Sequence, residues 1–181
     1  MNQEQKIQWC IDQHRSTNHF YDKYLPYEFH LRMVAQAVTD NKRNLEQMVD
    51  GDIESTIDSI ILAAYGHDLI EDTRVSYNDV KEILGEEAAD IIYAVSNEKG
   101  KNRKERANSK YYEGIRNTPY AVFVKLCDRI ANVQYSKMTK SRMYEMYKKE
   151  NENFMIQLGW TGSPTEVYSW MFKYLINLFK D

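Results

Sequence analysis

The chain has 181 residues, 43% hydrophobic and 28% charged, with a formal net charge of −3, a length that buries a sizeable core without disulfide or metal staples. An acidic balance, with a pI near 5.9, excludes the global basic footprint that holds duplex nucleic acid and favours a small-molecule substrate. There is no run of eighteen apolar residues and no signal-peptide core in the first thirty, which argues against membrane insertion and export.

Seven Gly and three Pro suit helices joined by short loops, so the expected class is all-α. Two distant cysteines, Cys10 and Cys127, lack CxxC spacing and suit reduced thiols in a cytoplasmic protein. Helical periodicity dominates and no repeat of 20–50 residues is visible. The pattern predicts helices near 3–16, 28–48, 53–70, 76–84, 86–97, 103–116, 119–138, 141–158 and 164–180, a bundle of eight or nine helices in a single domain.

In chain order, His30 stands near the start of the second helix, whose Met33, Val34 and Ala37 mark an inward stripe. The third, from Ile53 to Tyr65, is apolar around most of its circumference near its end and belongs in the middle of the domain. It leads directly into "HDLIEDT", His67 to Thr73. Buried ionisable groups cost several kcal/mol unless paired or bound to a metal, so this polar run beside an apolar helix marks a site. If the helix continues, His67 stands over Glu71 and Asp68 over Asp72 on one face. Gly66 leaves the backbone uncrowded there, or simply lets helices pack closely.

Ser76 with Asp79 reads as a capping box for the next helix. The basic stretch "NEKGKNRKERANSK" carries Lys99, Lys101, Arg103, Lys104, Arg106 and Lys110 against Glu98 and Glu105; it is either a solvated loop and helix face or a polyphosphate receiver. In "VKLCDRIANV", Asp128 sits among apolar residues with Asn132 one turn later on its side, and it has the alternatives of capping or pairing with Arg129. Lys125 is either a phosphate contact or a snorkelling surface residue. "SPTE" predicts Ser163 as an N-cap, Pro164 at N1 and Glu166 at N3. The last helix shows an apolar stripe through Val167, Trp170, Met171, Tyr174, Leu175 and Leu178.

Taken together, His30, His67, Asp68 and Asp128 supply two nitrogen and two oxygen donors without thiolate, a set that suits Mn²⁺, Fe²⁺ or Mg²⁺ better than a structural zinc. Four protein ligands leave open positions on an octahedral ion for a water and a phosphate oxygen.

An isolated His, a His-Asp pair and a distal Asp resemble the HD superfamily of metal-dependent phosphohydrolases. More narrowly, "PYEFH", "HDLIEDT" and "KLCDRIANV" resemble the hydrolase domain of RelA/SpoT proteins and the small stand-alone alarmone hydrolases similar to metazoan SpoT homologue. The resemblance covers roughly 14–137, followed by C-terminal helices at 141–180. It implies a helical HD-domain bundle and hydrolysis of the 3′-pyrophosphate of guanosine tetra- or pentaphosphate with a divalent ion, best Mn²⁺. His30, His67, Asp68 and Asp128 would hold the metal; Glu71 and Asp72 would position or deprotonate the attacking water. Asn132 would contact the ribose or phosphate region, with Lys125, Lys101 and Arg103 as further substrate contacts. The chain's length leaves no room for a synthetase domain, which implies a hydrolase alone.

Two departures qualify the match. The family commonly has a basic residue stacking on guanine eleven positions before the first metal histidine, and here that residue is His19, which implies looser guanine selectivity. The family's usual proline after that histidine is Leu31 here, which supplies no ligand. His14 matches a family position too and reads as structural. The rival readings are a phosphatase or triphosphohydrolase of another nucleotide, a non-catalytic nucleotide sensor, and a helical scaffold whose polar clusters are salt bridges. No nucleic-acid or membrane partner is expected, and an aromatic content of 13% permits a homo-oligomer through the C-terminal helix.

Overall fold

A computed structural model describes residues 1–96 and 101–180, without the side chains of Arg103 and Lys104. In chain order the helices are α1 (Gln3–Ser16), α2 (Glu28–Asp40), α3 (Lys42–Glu46), α4 (Ile53–Gly66), α5 (Leu69–Asp72), α6 (Tyr77–Leu84), α7 (Glu86–Val95), α8 (Arg103–Arg106), α9 (Ser109–Asn117), α10 (Ala121–Met138), α11 (Arg142–Gln157) and α12 (Ser169–Leu178). Nine of these have eight or more residues, in line with the expected bundle. Between α1 and α2 runs a short antiparallel ribbon, β1 (Phe20–Tyr21) and β2 (Leu25–Pro26), with Phe20 opposite Pro26.

α10 is the axis of the molecule. It packs against α2, α4, α7, α9, α11 and α12, and buries Phe123, Val124, Leu126, Cys127, Ile130 and Val133. Such all-round apolarity is what a central helix requires. α4 lies beside it between α2 and α7, with Ile57, Ile60, Leu62, Ala63 and Ala64 buried and Ile53, at its outer end, exposed. α4 therefore deepens into the core as it approaches His67. At that inner end a Cβ on Gly66 would meet Ile92 Cδ1 at 2.5 Å, with Leu69 and Leu84 methyls at 3.2 and 3.3 Å. Close packing against α7 is thus the role Gly66 serves. Among the described residues one apolar cluster runs from Cys10 to Leu175, and both cysteines are buried free thiols.

Local signals account for several boundaries. Ser76 and Asp79 exchange the reciprocal hydrogen bonds of a capping box, and Asp52 caps α4 by accepting from the Ser55 amide at 3.1 Å, each satisfying amides that an open helix end leaves unpaired. The predicted helix over 28–48 divides at Asn41, whose side-chain amide donates to the Ala37 carbonyl at 2.8 Å; such side-chain bonds compete with helix continuation.

The "SPTE" expectation is corrected. α12 starts at Ser169, five residues past Pro164, because the Glu166 carboxylate turns back to accept from the Thr161 amide at 2.9 Å and from its hydroxyl. Buried Tyr168 then takes a left-handed backbone at φ 62°. Ser163 and Pro164 lie in a turn-rich segment instead of a first helical turn. The predicted stripe shifts with the start: Met171, Phe172 and Leu175 are buried, while Val167 and Tyr174 face outward.

Candidate metal centre and cleft

The continuous helix expected through "HDLIEDT" does not form. α4 ends at Gly66, His67 is its C-cap, and Asp68 leaves helical geometry at φ −105°, ψ 3° before α5 resumes. Consecutive residues on an unbroken helix point about 100° apart, so adjacent His67 and Asp68 would diverge. The turn brings them together, with His67 Nε2 only 2.9 Å from Asp68 Oδ2. One part of the expected stacking survives, since the Asp72 amide donates to the Asp68 carbonyl at 2.9 Å.

His30 comes from the first turns of α2 and Asp128 from the middle of α10, the two helices that cross beside the end of α4. His30 Nε2 lies 3.2 Å from His67 Nε2, 3.3 Å from Asp128 Oδ1 and 3.8 Å from Asp68 Oδ2. Asp128 Oδ1 is 3.8 Å from His67 Nε2. Ligands about 2.0–2.2 Å from one ion, at right angles to one another, are about 3 Å apart. The residues present therefore fit a divalent ion, and His30, His67 and Asp128 form a compact donor group with Asp68 beside it.

Surrounding groups aim these donors. The His67 ring meets the Ala64 carbonyl through Nδ1 at 2.8 Å, the bond that leaves its Nε2 lone pair for a metal. Asn132 fixes Asp128 in the same way. Its Nδ2 donates to Asp128 Oδ1 at 2.6 Å and to the Asp128 carbonyl at 3.1 Å, while its Oδ1 accepts from Tyr21 at 2.9 Å. Tyr21 in turn stacks on His30 at 4.8 Å between ring centroids.

Electrostatics agree with the geometry. Burial opposes charge on His67, yet Asp68 and Asp128 push its imidazole up to about 9; the pocket demands positive charge. Burial likewise opposes ionisation of Asp128, but Lys125 at 3.0 Å and the two histidines hold its carboxyl well below the usual range. Two ionised aspartates with neutral imidazoles carry two negative charges, of which Lys125 offsets one, so the cluster still calls for a further cation.

This centre forms one end of a cleft of about 550 Å³. Glu71 and Asp72 line it, with Arg106 Nη1 3.3 Å from Glu71 Oε1. Burial, then the charges of Asp68 and Glu71, push the Asp72 carboxyl up to about 7. Lys125 is a cleft residue beside Asp128, not a surface one. The rival pairing of Asp128 with Arg129 does not form: Arg129 instead reaches Glu150 at 3.4 Å and lies over the Phe154 ring at 4.0 Å.

Of the basic stretch, Arg106 reaches the cleft, whereas the exposed Lys101 does not line it. Lys99 and the Arg103 side chain fall outside the described residues. His19 is also absent from the lining: it stacks on Tyr27 at 3.8 Å and meets buried His14 at 3.1 Å between Nδ1 atoms. Sequence reasoning overlooked Tyr27, although it lies within "PYEFH", and missed the α11 contributors Tyr147, Glu150 and Asn153. Only the i, i+3 spacing in α11 hinted at a shared face.

No protein-family model matches the chain. It is 30% identical over 122 residues to the guanosine-3′,5′-bis(diphosphate) 3′-pyrophosphohydrolase of Aquifex aeolicus, covering 64% of this chain and 18% of that protein. It is 27% identical over 79 residues to the MESH1 enzyme of the same name from Drosophila melanogaster, covering 44% of each. With its Danio rerio counterpart it shares 24% identity over 128 residues, covering 71% of this chain and 65% of that one. The chain thus spans less than half the length of the first two relatives. A solved structure, described as a metazoan orthologue of SpoT that hydrolyses ppGpp and plays a role in starvation responses, superposes with a TM-score of 0.68 at 18% identity, over 97% of this chain and 93% of that one. The chain accordingly has the all-α fold of that SpoT orthologue along nearly its whole length, and in sequence it is similar to proteins named guanosine-3′,5′-bis(diphosphate) 3′-pyrophosphohydrolase.

Proposed function

We propose that the chain is a metal-dependent phosphohydrolase that removes the 3′-pyrophosphate of guanosine tetra- or pentaphosphate. The observation that carries this reading is the convergence of two imidazoles and two carboxylates at one end of a cleft whose walls add Glu71, Asp72, Lys125 and Arg106. The likeness to proteins named as 3′-pyrophosphohydrolases supports the same substrate.

His30, His67, Asp68 and Asp128 would hold the ion, and the mixed nitrogen and oxygen set favours Mn²⁺. A bound ion supplies Lewis-acid charge that acidifies water and offsets negative charge on phosphate. Water then attacks the phosphorus joined to the ribose 3′ oxygen. The P–O3′ bond breaks, pyrophosphate departs, and the ribose oxygen takes a proton. Asp72 suits the proton traffic because burial and the charges of Asp68 and Glu71 push its carboxyl up to about 7, where it can both take and give a proton near neutrality. Glu71 shares this work while Arg106 holds its carboxylate in place. Lys125 and Arg106 face the transferred phosphates, and Asn132 serves through Asp128.

Metal analysis of the purified chain, followed by a nucleotide panel scored for phosphate, pyrophosphate or triphosphate, tests this. Manganese retention with pyrophosphate released from guanosine 3′-pyrophosphates supports it. Triphosphate or phosphate from another nucleotide would move the assignment to that substrate, and a metal-loaded chain inert on the panel would make it a sensor.

A further inference from the structure

Tyr27 opens α2 immediately before Glu28, three residues ahead of His30. Its hydroxyl donates to Asp68 Oδ2, the oxygen nearest His67 Nε2. A carboxylate oxygen has two lone-pair directions, so one can meet an ion while the other accepts from the phenol. That second bond selects the rotation of the Asp68 carboxylate. The ring is fixed as well: His19 stacks on it at 3.8 Å with planes 15° apart, and His14 at 4.6 Å with planes 28° apart.

His14 is 1% exposed near the end of α1, and its carbonyl accepts from the His19 amide at 3.2 Å. The two imidazoles also meet through their Nδ1 atoms. A column thus runs from the end of α1 through the following loop and the start of α2 to the turn between α4 and α5. His19 Nδ1 sits 3.8 Å from Asp72 Oδ2 as well, and the column therefore reaches two of the three carboxylates between Asp68 and Asp72.

We infer that Tyr27 is a positioning residue for the metal centre, and that His19 supports Tyr27 in this role instead of reading the substrate base. The inference rests on the metal reading of the site given above. Outer partners that orient ligands commonly change metal affinity by about 10–100-fold. A hydroxyl that merely touched substrate would alter KM and leave metal affinity alone.

The test is calorimetric titration of the full chain, freed of metal, with Mn²⁺ in the absence of nucleotide, for wild type, Tyr27→Phe and His19→Ala. Tyr27→Phe keeps the stacked ring and removes one hydroxyl, so the metal-free protein should keep its melting temperature while the Mn²⁺ Kd rises about 10–100-fold. His19→Ala should raise the Kd less and leave the KM ratio between guanosine and adenosine 3′-pyrophosphates unchanged. Wild-type affinity in Tyr27→Phe would overturn the inference while leaving the metal site standing. A shifted base ratio in His19→Ala would overturn the role given to His19. Wild type that binds no divalent ion would overturn the metal reading, and the inference with it.

Discussion

Two parts of the cleft lining are built differently. At the donor end, His30 and His67 are each 1% exposed; the Ala64 carbonyl meets His67 and Tyr21 stacks on His30, while Tyr27 and Asn132 donate to Asp68 and Asp128. Elsewhere on the lining, the Arg106 and Glu150 side chains are 42% and 36% exposed and come from the short α8 and from α11. Holding a long, exposed side chain in one geometry costs about 1–2 kcal/mol of rotamer entropy, which weakens ion pairs such as Arg106–Glu71 and Glu150–Arg129. The buried donors are therefore preorganised by packing and hydrogen bonds, while the more exposed residues are held by ion pairs near the surface.

The comparison is broken most severely at the donor end. Asp68→Ala removes a carboxylate donor from a buried site, so the purified protein should lose retained divalent ion and turnover together; full occupancy by elemental analysis would show that Asp68 is no ligand. Next comes Glu71→Gln, which keeps shape but not basicity. It should hold the ion and lose about 10²–10⁴ in kcat, and unchanged turnover in metal-loaded protein would take Glu71 out of the mechanism.

The pH profile sharpens the same end. A carboxyl pushed up to about 7, as Asp72 is, holds its proton to higher pH, so the active carboxylate is lost as pH falls through that value. Below it kcat/KM should decline about tenfold per pH unit, and a bound cation moves the limb to lower pH. Asp72→Asn should leave a slow, flat profile; persistence of the acid limb there would assign it to another group. Among the more exposed residues, Arg106→Ala should raise KM roughly tenfold, the worth of one charge-assisted contact of about 1.5 kcal/mol, and lower kcat as well because Glu71 loses its partner, with the ion still bound. A fall in metal content would show that the two parts are not independent.

The smallest effect tests why the donor end is rigid. Gly66→Ala drives a methyl against Ile92 and Leu69. The methyl ends of those side chains can yield, so the cost should be near 1 kcal/mol, about 2–4 °C in melting temperature. A change beyond about 3 kcal/mol would mean that the α4 end has no room to relax.

From sequence alone, the class, the long helices and the identities of the His and Asp residues that converge at the buried cluster were legible, because helical periodicity and the residue types that suit hard cations are local properties of the chain. Asp128 and Asn132, four residues apart on α10, do share one face as their spacing requires. Tertiary structure decided the rest. Whether His67 and Asp68 converge depended on a break after Gly66 that no periodicity signals, and the start of α12 depended on Glu166 reaching back to Thr161 in place of capping. His19 stands where a base contact was expected, yet Tyr27 and His14 flank it. Tyr147 and Glu150 of α11 join the cleft only because α11 packs on α10. Spacing specifies which side chains share a face; only the packing of distant elements determines what that face meets.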